Sequence, residues 1–256
     1  MKRLLVALAA AAATAGVHAG RDCTPRAPQA ASVARSLELA EHTRQALDAS
    51  GARVVLLARA GQDLSRWGLA WSHVGWAYRG EDGWRVVHKL NVCGSAEASL
   101  YRQGLGEFFL DDPFDWRAGY AVPQASLQSL LLPLLQDNGR AARLHVRDYS
   151  MVAYPWAQRY QQSNQWAIET LALAARPSVT NRAQAQAWLQ LEGYVPGLLH
   201  VDAFTRLGAR IGSPNVAFDD HPDGDRYAGR IRTVTADSVF AWLAGSGMAG
   251  SLHTVR

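Results

Sequence analysis

The stretch WSHVGWAYRGEDGWRVVHKLNVCG, Trp71 to Gly94, carries two imidazoles on what alternation makes consecutive strands. Histidine changes charge near neutral pH, so one ring of such a pair can take a proton while the other orients it. With Gly80–Gly83 as the turn, Arg79 faces Trp84, and pairing runs on through Ala77 with Val86, Gly75 with His88 and His73 with Leu90. His73, Gly75 and Ala77 then share a face with Val86, His88 and Leu90, which makes the histidines diagonal neighbours about 7–8 Å apart. Gly75 leaves room opposite His88. A register slip of one residue would set the rings on opposite faces, and the plainer reading has one histidine satisfied in the core and the other at the surface.

Other residues could also do chemistry. Cys93 lies five positions past His88, too far along the strand to face His73. FDDHPDGDR holds Asp219, Asp220, His221, Asp223 and Asp225 within seven positions, but a calcium loop counted from Asp219 puts His221 on an oxygen position and Arg230 where glutamate belongs. A turn with aspartates capping backbone fits better, and no metal site or cofactor is expected. Asp111 and Asp112, beside Pro113, read as the start of a turn. Trp67, Trp71, Trp76 and Trp84 gather at the hairpin and Trp156 and Trp166 lie further on; most suit a core, while Trp76 is a candidate for lining a binding cleft.

The elements that must position these residues alternate between helix and strand. QAASVARSLELAEHTRQALDASG has helical apolar spacing and stops at Gly51, and Arg53–Arg59 is a buried-strand run. Residues 95–116 read as a long connection with one short helix near Leu100, and Arg117–Pro123 as a strand ended by proline. ASLQSLLLPLLQDNG is an apolar helix with a kink or break expected at Pro133. Further helices follow over NQWAIETLALAA, over TNRAQAQAWLQLEG with a cap at Thr180 or Asn181, over VDAFTRLGARIG and over TADSVFAWLAG. GRIRTVT is a strand. The fold class is α+β, a small antiparallel sheet with flanking helices.

Residues 1–19 have the layout of a cleaved signal peptide: Lys2 and Arg3, an uncharged run from Leu4 to Val17, and the small-residue end VHA before cleavage after Ala19. The mature chain, 20–256, would be one exported domain, periplasmic or secreted, and no later run is apolar enough to span a membrane. Losing Lys2 and Arg3 lowers the 26 basic residues to 24 against 22 acids, a net charge of +2 with no cationic cluster, so nucleic acid is not a partner. In an exported chain the simplest reading of the two cysteines, Cys23 and Cys93, is one disulfide, stabilising by about 3–4 kcal/mol in the chain-entropy model; the alternative is that Cys93 is a free, reactive thiol.

SHVG on one strand with a polar residue on the next resembles the circularly permuted branch of the NlpC-like, papain-like hydrolases. The resemblance implies a core over about 53–176 with a C-terminal helical extension over about 177–256. It makes His73 the base and His88 its orienter, and it puts the nucleophile at the head of the helix in YQQSNQWAIE. That position is Ser163, not cysteine. A helix N-terminus and an imidazole can bring a thiol to its reactive form, whereas a hydroxyl must give up its proton during attack. Asn164 and Gln165 would donate to an oxyanion or hold a ligand amide, and an ordinary N-cap is the competing role for Ser163. GQDLS, HKLNVCG, QGLGEFFLDDPF, YQQSNQW, AQAWL, NVAFDDHP and VTADSVF also resemble a family of exported bacterial proteins of unknown function, a resemblance that covers most of the chain. Two functions follow as expectations: a degenerate or serine-variant amide or ester hydrolase of the cell envelope, or a non-catalytic module binding a peptide or glycan.

Overall fold

The computed structural model describes residue 27, residues 29–111 and residues 113–256. The expected signal peptide, Cys23 of the expected disulfide, and Asp112 lie outside the described residues.

Helix α1 (Ala30–Ala49) ends before Gly51, which takes the left-handed conformation at φ 68°. β1 (Val54–Ala60) follows and is buried over its whole length. A single 3₁₀ turn, Ser65–Trp67, leads to β2 (His73–Gly80) and β3 (Gly83–Asn91). This hairpin has the register read from the sequence, with Arg79 opposite Trp84 and Ala77 opposite Val86. Gly83, at φ 98°, closes its turn.

The connection over 95–116 is more structured than its sequence pattern implies. It contains β4 (Ala98–Gly104) and α2 (Leu105–Leu110). β4 lies at the sheet edge and fully buries only Ala98, so its apolar alternation is too sparse to read. β5 (Asp115–Ala121), α3 (Ala125–Gln136) and the short α4 (Asn138–Ala141) come next. α3 runs through Pro133 without a break; Pro133 and Ser129, whose carbonyl Pro133 cannot bond, both lie on the exposed side. Then follow α5 (Ser163–Ala175), α6 (Arg182–Leu191), β6 (Gly197–His200), α7 (Ala203–Gly212), α8 (Asp223–Tyr227), β7 (Arg230–Thr233), α9 (Ala236–Gly245) and β8 (His253–Val255). Asn181 caps α6 by accepting from the Gln184 amide.

The fold is α+β. One antiparallel six-stranded sheet runs in the order β4-β3-β2-β1-β5-β8, and a second sheet pairs β6 with β7. The large sheet has an apolar core on each face. On one, α1 and α2 pack through Leu39, Leu47, Leu105, Phe108 and Phe109 against Val55, Leu57, Ala77 and Val86. On the other, α3, α5, α6 and α9 cover Val54, Leu56, Val74, Trp76 and Val87. Period-two alternation therefore decides which helices each strand residue meets.

Candidate functional site

On the α2 face the two histidines meet. His73 Nε2 lies 2.9 Å from His88 Nδ1, and His88 Nε2 lies 2.7 Å from Gln103 Oε1 on β4. The amide oxygen can only accept, so His88 carries its proton on Nε2 and presents a bare Nδ1. His73 must then donate from its own Nε2. The result is a directed chain, His73 to His88 to Gln103, that fixes both tautomers. Gly75 makes it possible: a Cβ there would stand 2.9 Å from the His88 Cβ and 2.7 Å from Val86 Cγ1.

Phe108 of α2 covers the pair, its ring centroid 6.0 Å from that of His73 and 5.2 Å from that of His88. Arg59, opposite His73 on β1, lies over the same ring, donates to the Phe108 carbonyl and pairs with Asp111. Burial, and then the Arg59 guanidinium, pushes the His88 pKa down to about 4, although Gln103 and Asp111 oppose the shift. The same two causes hold His73 well below the usual histidine range. Both rings are neutral at pH 7, and the network is roofed by an aromatic side chain.

Ser163 is elsewhere. It is the first residue of α5 and only 6% exposed, beside the buried Tyr149, whose phenol pKa burial raises and Ser163 lowers. α5 lies on the opposite face of the sheet from the histidines, because β2 turns Val74 and Trp76 towards it and His73 and Ala77 away. Asn164 Oδ1 accepts from the Val74 amide at 3.0 Å, and its Nδ2 donates to the Val234 carbonyl at 3.2 Å. Gln165 Nε2 donates to Pro155 and Glu169. Trp76 is fully buried and donates to the Ala167 carbonyl at 2.8 Å. The cap of α5 is the Gln162 side chain, which accepts from the Asn164 amide. The structure thus joins His73 to His88 but gives Asn164, Gln165 and Trp76 internal partners in the other core, where Ser163 is also buried.

Around α5 runs a polar interior that the sequence reading did not include. Glu169, fully buried, accepts from Arg182 at 2.8 Å, Gln161 at 2.6 Å and Gln186 at 2.9 Å. Lys89, also fully buried, donates to Gln161 Oε1 and the Val146 carbonyl, and burial followed by Arg182 lowers its pKa to about 7. One signal was available: Glu169 is the lone acid in IETLALAA, and a charge on an apolar helix needs a buried partner. Gln103 and Arg59 had no comparable signal.

The 219–225 loop spends its acids internally. Asp219 pairs with Arg159, Asp223 with Arg226, and Asp225 with Arg230 and Arg232. Asp220 accepts from the Tyr154 amide and His221 donates to the Val152 carbonyl, so the loop clamps the segment leading to α5.

A recess of about 330 Å³ opens near β6, lined by Arg66, Trp67, Leu198, His200, Asp202 and Thr205. The Arg66 guanidinium stacks 3.7 Å above the Trp67 ring.

No curated protein matches the chain, and no solved structure does. A family model, DUF2145, described as an uncharacterized protein conserved in bacteria, matches residues 46–243, from the last turn of α1 into α9. That span includes His73, His88, Gln103 and Ser163 together with most of both cores, and the chain belongs to this family.

Proposed function

We propose that the protein is an exported, non-catalytic binding module of the bacterial cell envelope, built on a degenerate papain-like core, whose ligand is a peptide or glycan. A signal peptide over 1–19 and a Cys23–Cys93 disulfide belong to this reading. One observation carries it: Ser163 is buried at the head of α5 on one face of the sheet, while the His73 ring is engaged by His88 on the other. A serine nucleophile needs its base within hydrogen-bond reach, and the amides that would stabilise an oxyanion, Asn164 and Gln165, are committed to Val234, Pro155 and Glu169. The Trp67 recess offers what a binding module needs: an indole, a guanidinium, an imidazole and a hydroxyl around one opening.

Labelling with a fluorophosphonate, a serine-reactive probe, tests the reading against the serine-variant hydrolase. The expected result is the same labelling, or none, in wild type and Ser163→Ala. Labelling lost in both Ser163→Ala and His73→Gln would establish the hydrolase instead.

A further inference from the structure

Helix α7 turns large apolar side chains to solvent. An amphipathic surface helix ordinarily buries such residues. Here Phe204 is 87% exposed and Leu207, one turn on, is 57% exposed, whereas the buried residue among the described side chains of α7 is the small Ala209. Leu198 of β6, 43% exposed, borders the recess that Thr205 of α7 also lines. Single exposed leucines are ordinary, but a phenylalanine and a leucine exposed one turn apart on one helix call for a partner.

The charges around it indicate which. Arg210 is exposed on α7, Arg206 stands on the same helix, and Arg66 borders the recess with Trp67. Asp202, which caps α7 through the Phe204 and Thr205 amides, keeps its charge and offsets one of these three cations, so the group stays net positive. An isologous dimer would bring these arginines face to face, like against like. An anionic bilayer neutralises them while its acyl chains receive the apolar side chains. We infer that α7, through Phe204, Leu207 and Arg210, docks on the surface of an anionic lipid bilayer, the helix lying in the interface plane and the neighbouring recess left open.

Flotation of the full chain with vesicles of phosphatidylglycerol, and separately of phosphatidylcholine, tests this. Wild type is expected to float with the anionic vesicles, to be released by high salt, and to stay behind with the neutral ones. Phe204→Ser with Leu207→Ser should lower partitioning by about tenfold and Arg210→Gln by less, both with unchanged circular dichroism because the side chains are exposed. The inference is overturned if wild type does not float, if it floats equally with neutral vesicles, or if the double variant floats as well as wild type. It is also overturned if the double substitution instead dissociates a wild-type dimer, which would assign the patch to a second copy.

Discussion

The residue that permits the histidine chain is Gly75. Its missing side chain is where His88 stands, so Gly75→Ala should cost about 1–3 kcal/mol through overpacking and break the His73–His88 bond; urea unfolding measures the first and histidine NMR the second. A variant as stable as wild type would show that the two strands can move apart. The rings also make an acid-sensitive device. Both imidazoles are held neutral below the ordinary value of 6.5, His88 down to about 4. In that window the unfolded chain binds protons that the native state refuses, so this part of the stability is complete above pH 6.5 and is lost as pH falls towards 4. His88→Gln, which keeps a hydrogen-bonding side chain, should flatten that decline in denaturation series run across the window. Gln103→Glu should raise the His88 pKa, since a carboxylate would then face Nε2. An unchanged titration would mean that Gln103 does not hold the ring.

At the level of elements, α5 is organised by a buried acid. Removing one partner of such a pair strands the other charge. Glu169→Ala should therefore destabilise by about 3–5 kcal/mol, and Glu169→Leu combined with Arg182→Met should recover most of the loss, as calorimetry of the three proteins would show. If the double variant is no better than the single one, the pair holds the fold through more than charge. This network also explains what could be read in advance. The β2–β3 hairpin was legible, because Gly80 and Gly83 bracket a turn between alternating strands, and so was the meeting of His73 with His88. The place of α5 was not. Its head, QQSNQW, is polar and looks like an open site, yet Gln161, Asn164 and Gln165 all turn inward to partners distant in sequence. A run of amides reads the same whether solvent or buried carbonyls satisfy it. β4 was missed because an edge strand with one fully buried residue leaves little pattern, and Gln103 was missed with it.

For the molecule as a whole, the large sheet is a partition with a polar network on each side. Its β5 edge is closed by β8, where His253 stacks on Tyr120 at 5.0 Å and His42 of α1 bonds the Arg256 carbonyl at 3.0 Å. Removing residues 252–256 should uncover that edge and give larger species in light scattering than the full chain does; an unchanged mass would show the edge protected by other means. The separation of the two networks is tested most directly by a double-mutant cycle on folding stability between His73→Gln and Ser163→Ala. With the sheet between them, the two losses should add to within about 0.5 kcal/mol, while the matching cycle between His73→Gln and His88→Gln should show clear coupling. Coupling of about 1 kcal/mol or more between His73 and Ser163 would mean that ring and hydroxyl act on one another, and would contradict a non-catalytic assignment.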